Sequence, residues 1–204
     1  ESPLQAYKKK KDSSIHVGLN LVKEGNADAF LSAGNTGAVM SCSLFILGRI
    51  TGVDRPALAS VIPTKKGHAL MLDMGSNVDS KPNHLEQYAL MGHFFSSQVL
   101  HVDNPKVGII NIGEEEEKGN QLVQETFGLL KNNALINFVG NLEGKDILFH
   151  KADVIVCDGF VGNTLLKFGE GLVDFLLSEI KNGIMNGSPI AKLGGFLLKP
   201  VFRK

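Results

Sequence analysis

The residues best suited to chemistry are the seven from Ser32 to Ala38, with the sequence Ser-Ala-Gly-Asn-Thr-Gly-Ala. They follow an apolar run, Ala27–Leu31, that predicts a buried strand, and they precede a segment with helical character, Ala38–Leu47. A glycine-rich turn between a strand and a helix leaves backbone N–H groups unpaired at the positive end of the helix dipole. Such a turn is suited to anionic groups, above all phosphate.

Individual residues of this turn support either a ligand site or a plain connector. Gly34 and Gly37 permit a tight backbone that a ligand can approach closely. Ser32, Asn35 and Thr36 can add hydroxyl and amide donors. The alternative is that Asn35 or Thr36 only caps the helix and that no ligand binds.

Two lysines in polar loops are candidates for holding a phosphate or moving a proton. Lys118 follows four glutamates, Glu114–Glu117, and precedes Gly119-Asn120. At a junction of loop and helix its ammonium could clamp a phosphate as a point charge, or it could transfer protons. The alternative is a surface lysine that balances the four glutamates. Lys81, in the sequence Asp-Ser-Lys-Pro, is a second cation with the same two interpretations.

Other polar residues suggest transition-state donors or a metal. Asn77 and Asn163 could stabilise a carbonyl oxygen as it becomes an oxyanion, although asparagine in a turn usually has a structural role. Asp73 and Asp79 could bind a divalent cation, but such residues more often cap helices and order loops, so we predict no metal. The sequence has no Gly-x-Gly-x-x-Gly after a strand, no P-loop and no histidine or cysteine set with metal spacing.

Composition limits the class of protein. The 204 residues, 43% of them hydrophobic, suit one large α/β domain with a sizeable core. The 21 basic and 21 acidic residues balance, so no nucleic-acid partner is predicted. Cys42 and Cys157 lie in apolar surroundings, which indicates buried thiols in a reducing compartment. With no apolar run of about 18 residues and no signal peptide, the expected location is cytoplasmic.

Short apolar runs alternate with helical segments, which predicts a three-layer α/β fold with helices on both faces of a mostly parallel or mixed sheet. Gly67-His68 between two runs suggests one hairpin. The further predicted strands are Ala57–Ile62, Ala69–Asp73, Lys106–Asn111, Leu135–Val139 and Asp153–Asp158. The further predicted helices are Pro82–Leu100, Gly119–Lys131 and Asn163–Lys181.

Four polar loops that contain glycine follow predicted strands. They are Ser32–Ala38, Asp73–Pro82, Gly113–Asn120 and Asp158–Asn163. In open α/β sheets, ligands bind at the carboxyl ends of the strands. We therefore predict that these loops converge on one site.

The end of the chain has a different character. Ile184–Pro189 is predicted to be a turn between two helices, and we divide the chain into a catalytic domain, residues 1–183, and the turn and second helix of a protruding hairpin, residues 184–204. A basic amphipathic hairpin suits a subunit interface or a membrane surface. The second helix combines apolar and basic residues: Ile190, Leu193, Phe196, Leu197, Val201, Lys192, Lys199, Arg203 and Lys204.

Taken together, these motifs resemble the bacterial phosphate acyltransferase family. The resemblance runs the length of the chain and rests on several motifs in the right order: Ser32–Ala38, Gly48–Leu58, Asn77–Pro82, Lys118–Asn120 and Asp158–Asn163. The family makes acyl phosphate from acyl–acyl-carrier protein and inorganic phosphate for phospholipid synthesis. The resemblance implies a fold like that of phosphate acetyltransferase and isopropylmalate dehydrogenase, a homodimer, no cofactor, peripheral association with the membrane, and a glycerol-phosphate acyltransferase that uses the product.

The resemblance also implies roles for individual residues. The turn with Ser32, Gly34, Asn35, Thr36 and Gly37 would lie at the phosphate and acyl site. Lys118 matches a family lysine that is expected to be catalytic. Asn77 and Asn163 would act beside Lys118, and Asp79 and Lys81 fall in motifs expected to line the same cleft.

The chain departs from the family at both ends, and two other functions stay open. Family members begin with a strand that ends in Asp-Ala-Met-Gly-Gly-Asp and finish with a His-Gly motif, and neither occurs here, so a partial chain is expected. Arg49 and Arg55 near a loop permit a metal- and NAD-dependent decarboxylating dehydrogenase on a related fold. The Lys8–Lys11 run and the basic hairpin permit a non-enzymatic module that docks a carrier protein or a membrane.

Overall fold

The computed structural model describes residues 3–198, and within that range the chain forms eight helices and five strands. The strands are β1 (Ala59–Thr64), β2 (Gly67–Leu72), β3 (Lys106–Ile110), β4 (Asn137–Leu142) and β5 (Val154–Val156). The helices are α1 (Pro3–Lys9), α2 (Ser14–Lys23), α3 (Thr36–Ile46), α4 (Pro82–Gln98), α5 (Gln121–Asn132), α6 (Asp146–Phe149), α7 (Gly159–Asn186) and α8 (Pro189–Leu198).

The strands form one mixed sheet in the order β1-β2-β5-β3-β4. β1 and β2 are an antiparallel hairpin, whereas β2, β5, β3 and β4 run parallel to one another. Val156 pairs with Leu72 on one side and with Ile109 on the other, so the chain leaves these three strands at one edge. The predicted α/β fold, the mixed sheet and the hairpin at Gly67 are confirmed.

The core is built by the alternation of side chains along the central strands. One set packs against α4 and α5, and the opposite set, which includes Ala69, Met71 and Ile155, is also buried, so both faces of the sheet are covered. Each fully buried large aliphatic or aromatic side chain contributes about 1.5–3 kcal/mol. The first set, with its helical partners, contains Leu70, Leu72, Val107, Ile109, Val154, Val156, Leu85, Tyr88, Ala89, Phe127 and Leu130.

The prediction of a strand at Ala27–Leu31 is wrong. This segment is irregular, and Leu31 is 97% exposed. Phe30 packs instead against the small cluster of Leu19, Cys42 and Ile46 between α2 and α3. A short apolar run can pack against helices as well as in a sheet, so periodicity alone does not distinguish a buried strand from a segment that packs on helices. Cys42 and Cys157 are free and buried, as predicted.

The chain divides into two compact units, residues 1–163 and 164–204. In the second unit, α7 ends at Asn186 and α8 begins at Pro189, with the Ser188 hydroxyl accepting a hydrogen bond from the Ala191 N–H at 3.3 Å. The boundary at 183/184 stays a prediction, and Lys199, Val201, Arg203 and Lys204 lie outside the described residues. Among residues 3–198 no helix is both long and apolar enough to cross a membrane.

Candidate functional site

The loop that follows β2 is folded around the carboxylate of Asp73. Asp73 is fully buried, and Oδ1 accepts hydrogen bonds from the N–H groups of Leu58, Gly75 and Ser76 at 3.0, 3.1 and 3.0 Å. Oδ2 accepts from the Ser76 hydroxyl at 2.7 Å and from the backbone and side-chain N–H groups of Asn77 at 2.8 and 2.9 Å. Six donors therefore occupy this carboxylate, and Asp73 orders the loop.

Asn77 is part of the same network. Its side chain is buried, and Nδ2 donates to Asp73 and, at 2.8 Å, to the carbonyl of Pro56. Both amide hydrogens are thus committed, and none is left for the oxyanion predicted at this residue. The carbonyl of Asn77 accepts from the Gly159 N–H at 2.9 Å, which joins this loop to the start of α7.

The start of α7 packs directly on the loop after β2. A Cβ at Gly162 would lie 1.9 Å from the carbonyl oxygen of Asp73, so only glycine permits this approach. Asp158 caps the helix, because its Oδ1 accepts from the N–H groups of Phe160 and Val161 at 2.9 and 3.0 Å. The Gly162 N–H donates to the carbonyl of Asp158. The first N–H groups of α7 are therefore used within the protein.

Asn163 is the predicted site residue that reaches solvent at this junction. It is exposed on the first turns of α7, and its side chain lies beside Gly75, with its Cβ 3.2 Å from the position a Gly75 Cβ would take. Burial, followed by the charges of Asp158 and Asp73, raises the pKa of the neighbouring Cys157 thiol, so Cys157 is unsuited to act as a nucleophile. The exposed amide of Asn163 is thus a hydrogen-bond donor that lies against the ordered loop after β2.

The loop that follows β3 is held by Asn111. This buried residue donates from Nδ2 to the carbonyl of Lys118 at 3.0 Å and accepts on Oδ1 from the Ile112 N–H at 2.8 Å. Gly119 has a φ of +90°, and a Cβ there would lie 2.3 Å from Oδ1 of Asn111, so glycine is required at this turn. Asn120 then caps α5 by accepting from the Val123 N–H at 3.0 Å.

Two of the four glutamates of this loop form ion pairs with lysines other than Lys118. Glu114 pairs with Lys151 at 2.6 Å, and Glu116 pairs with Lys131 at 2.7 Å. Within residues 3–198, the exposed ammonium of Lys118 makes no ion pair. Glu114 and Glu116 thus have other counterions, and the two interpretations of Lys118, a phosphate-binding cation or a surface lysine beside the acidic run, both stay predictions.

The Ser32–Ala38 segment is the exposed start of α3. Asn35 caps the helix by accepting from the Ala38 N–H at 3.0 Å, and the Ser32 hydroxyl accepts from the Gly34 N–H at 3.0 Å. In the described part of the chain, the N–H groups of Thr36 and Gly37 donate to no protein acceptor. These first two N–H groups could bind an anion. The segment does not follow a strand, so its predicted place beside the other three loops is not supported by the sheet topology.

The remaining predicted residues lie between the loop after β2 and α4. Asp79 is exposed, and Lys81 is the exposed N-cap residue of α4, whose N–H donates to Nδ1 of His84 at 3.2 Å. Among the described residues no three histidine, cysteine, aspartate or glutamate side chains are grouped as metal ligands. In the case of Asp73, the six donors leave no oxygen lone pair directed at a cation.

Comparison with known proteins places the chain in a family. The family model described as "Fatty acid synthesis protein" matches residues 1–204. The chain belongs to the fatty acid synthesis protein family. It is 53% identical over 205 residues to a protein named phosphate acyltransferase from Halothermothrix orenii, and 53% identical over 203 residues to a protein of the same name from Heliobacterium modesticaldum. Each comparison covers 100% of this chain but only 61% and 60% of the relative, so the chain spans about three fifths of their length.

Solved structures support the fold of this family member. The EutD phosphotransacetylase from Staphylococcus aureus superposes with a TM-score of 0.60 at 17% identity, over 84% of this chain and 63% of that one. A branched-chain phosphotransacylase from Enterococcus faecalis V583 gives 0.51 at 17% identity, over 73% and 60%. The predicted similarity to the phosphate acetyltransferase fold is confirmed.

Two residues of this fatty acid synthesis family chain gain their place at the site only from the structure. From the sequence, Asn111 is predicted to end a strand, and Arg55 is named only within the Gly48–Leu58 motif and as a dehydrogenase candidate, whereas both border the loops of the candidate site. A signal for Asn111 was present, because an asparagine directly after an apolar strand commonly hydrogen-bonds the following turn. Nothing local marked the surroundings of Arg55, since they are assembled from three distant segments.

Proposed function

We propose that the natural protein that contains this chain transfers a fatty acyl group from acyl-carrier protein to inorganic phosphate, giving acyl phosphate for phospholipid synthesis. The observation that carries the proposal is the ammonium of Lys118, which makes no ion pair within residues 3–198. It belongs to the loop after β3, at the edge of the sheet where the chain also leaves β2 and β5. Relatives named phosphate acyltransferase support the same reaction.

The proposed reaction is a direct displacement. A phosphate oxygen attacks the thioester carbonyl carbon, the C–S bond breaks, and the leaving thiolate takes up the proton that the phosphate releases. Lys118 holds the phosphate as a point charge, with Lys81 as a second cation. Positioning of this kind lowers the barrier by removing the entropy cost of bringing two reactants together. The scheme needs neither a cofactor nor a protein nucleophile.

Stabilisation of the tetrahedral oxyanion falls to Asn163. Its amide is exposed beside Gly75, whereas the amide of Asn77 is committed to Asp73 and Pro56. We therefore assign Asn77 to holding the loop and Asn163 to donating to the oxyanion. The N–H groups of Thr36 and Gly37 would contact phosphate or the acyl carbonyl; Ser32, Gly34 and Asn35 would shape that turn, and Asp79 would border the cleft.

We also propose partners for the protein. The second unit exposes many apolar side chains on α7 and α8, which supports a homodimer interface or contact with a membrane surface, and the product would pass to a glycerol-phosphate acyltransferase. The balanced charge gives no support to a nucleic-acid partner. The exposed apolar residues include Phe168, Leu172, Val173, Phe175, Leu176, Leu177, Ile180, Ile190, Leu193, Phe196 and Leu197.

The test compares two lysine variants of the natural protein. Acyl–acyl-carrier protein and phosphate are incubated with enzyme, and the release of free thiol and the formation of acyl phosphate, trapped by hydroxylamine, are both followed. Removing one preorganised electrostatic contact typically costs about 10²–10³ in kcat/KM, and we expect Lys118→Ala to fall in that range. Lys131→Ala, which removes the ammonium paired with Glu116, is the matched control and should keep the wild-type rate.

Two results would contradict the proposal. If the wild-type protein binds the carrier or anionic vesicles but forms no acyl phosphate, a docking module is the better description. If Lys118→Ala and Lys131→Ala have the same rate at equal thermal stability, Lys118 has no part in the reaction.

A further inference from the structure

A cleft separate from the Lys118 loop lies between α3 and the segment that leads into β1. Its volume is about 400 Å³. Met40, Ser41 and Leu44 of α3 form one side, Arg49 and residues 54–56 form the other, and Ser76 and Asn77 of the ordered loop complete it. Three segments far apart in sequence thus enclose a space large enough for part of a small molecule.

The charge of this cleft comes from Arg49 and Arg55. The Arg49 guanidinium donates to the backbone carbonyl of Asp54, and within residues 3–198 Arg55 makes neither an ion pair nor a hydrogen bond. The carboxylate of Asp54, the acid in the lining, is turned to α4, where its Oδ2 accepts from Asn83 at 2.8 Å and from Gln87 at 3.3 Å. The Arg55 charge is therefore left for a ligand.

The charge of Arg55 also reaches His84 on the neighbouring helix α4. The pKa of His84 on α4 is lowered by burial and then by the charge of Arg55, with Lys81 adding to the effect against the opposing charge of Asp54. An anion is the ligand that the two arginines of the lining favour, and a guanidinium can bind a phosphate oxygen pair through two parallel hydrogen bonds. The Met40 and Leu44 side of the same cleft offers apolar contact.

We propose that this cleft binds the phosphate-bearing arm of the thioester donor, with the phosphate ester on Arg55 and Arg49 and the apolar part of the arm along Met40 and Leu44. The inference rests on the proposed function and extends it by giving the donor a site of its own. The floor of the cleft at Asn77 adjoins Gly75, against which Asn163 lies, so the arm would run from Arg55 towards the proposed oxyanion donor. Inorganic phosphate would bind elsewhere, at Lys118.

Binding of small probes tests the site without any need for catalysis. The natural protein is titrated with 4′-phosphopantetheine, with pantetheine, which lacks the phosphate, and with inorganic phosphate. We expect 4′-phosphopantetheine to bind at least about tenfold more tightly than pantetheine, and Arg55→Met to abolish that difference while leaving the affinity for pantetheine unchanged. Lys66→Met, which makes the same change of charge at an exposed position in the β1–β2 turn, should affect neither probe.

Steady-state kinetics then separates the two phosphate sources. Arg55→Met should raise the KM for the acyl donor and leave the KM for inorganic phosphate unchanged, and Arg55→Lys, which keeps the charge but loses the planar fork, should recover part of the loss. A rise in the KM for inorganic phosphate alone would overturn the inference and make the cleft the acceptor site. Equal binding of both pantetheine probes to wild-type protein would also overturn it.

The two proposals fail in different ways. Arg55-dependent binding of 4′-phosphopantetheine without formation of acyl phosphate would retain the cleft and refute the proposed reaction. Acyl phosphate formation that is indifferent to Arg55→Met, at unchanged thermal stability, would retain the reaction and refute the cleft.

Discussion

The loops after β2 and β3 leave the same edge of the sheet, yet they are stabilised in opposite ways. After β2, a fully buried carboxylate, Asp73, gathers six hydrogen-bond donors, and the start of α7 is pressed against it at Gly162. After β3, a neutral side chain, Asn111, holds the turn, and Lys118 is exposed without an ion pair in the described chain. The first loop is a scaffold, and the second presents a charge.

This contrast predicts how each loop responds to change. A hydrogen bond to a buried charge contributes about 1.5–3 kcal/mol, whereas a neutral one contributes about 0.5–1.5 kcal/mol. Substitutions that break the network after β2 should therefore lower the stability of the whole fold, while substitutions in the loop after β3 should mainly loosen the position of Lys118.

The largest effect is expected for Asp73→Ala. The substitution leaves the N–H groups of Leu58, Gly75 and Ser76 without their acceptor in a buried environment, and each unsatisfied group carries a desolvation penalty. We expect the free energy of unfolding to fall by about 4 kcal/mol. Denaturation by urea, followed by circular dichroism, measures the change.

Asp79→Ala provides the control for Asp73. It removes a carboxylate from the same loop at an exposed position, and the expected change is within about 0.5 kcal/mol. If the two alanine variants lose similar stability, the buried network is not what orders this loop, and the contrast between the two loops fails.

The sequence was sufficient for the sheet but not for all of the site. Periodicity and apolar runs located the five observed strands, because residues that pair in a covered sheet are apolar on both faces. The same signal failed at Ala27–Leu31, where Phe30 packs on α2 and α3 instead. The segments with Lys118 and Asn163 follow β3 and β5 as predicted, but Asn163 lies within α7, which begins at Gly159, and not at the end of a loop.

What the sequence could not supply is which polar groups are already satisfied. Asn77 and Asn163 look alike in sequence, but the Asn77 amide donates to Asp73 and Pro56, whereas the exposed Asn163 amide donates to no acceptor within residues 3–198. Likewise, the run Glu114–Glu117 beside Lys118 suggested local neutralisation, whereas Lys131 and Lys151 arrive from distant elements. Such pairings depend on tertiary contacts that no local pattern encodes.

A smaller effect is expected for Asn111→Ala. The variant loses two neutral hydrogen bonds, to the Lys118 carbonyl and from the Ile112 N–H, so the free energy of unfolding should fall by about 1–2 kcal/mol. Amide hydrogen exchange in residues 112–119 should accelerate, because the loop then depends on Asn141, which donates to the Glu115 carbonyl, and on Gln124, which donates to the carbonyls of Glu117 and Gly119. Asn132→Ala, on the surface of α5, is the control, and equal exchange rates in both variants would show that Asn111 does not hold the loop.

The smallest effect concerns the ion pairs at the edge of the loop after β3. Lys151 bridges Glu114 of that loop and Asp146 of α6 at 2.6 and 2.9 Å. Burial alone would raise the pKa of Asp146, but the hydrogen bonds from Lys151 and the Glu143 N–H, with nearby positive charge, outweigh it and lower the pKa overall. A carboxylate whose pKa is lower in the folded state stabilises the fold above its unfolded pKa of about 3.9.

That stabilisation must disappear as the pH falls through the folded pKa of Asp146, so Asp146→Asn should flatten the acid limb of the stability profile below about pH 4. Urea denaturation between pH 2.5 and pH 7 measures the slope, with the exposed Asp28→Asn as control. The change should be smaller than for Asn111→Ala because solvent around the exposed Lys151 screens the pair. If the fall in stability below about pH 4 is the same in Asp146→Asn as in the wild type, the acid sensitivity comes from other carboxylates. The Lys151 ion pairs would then add nothing to the stability of this loop beyond what Asn111 contributes.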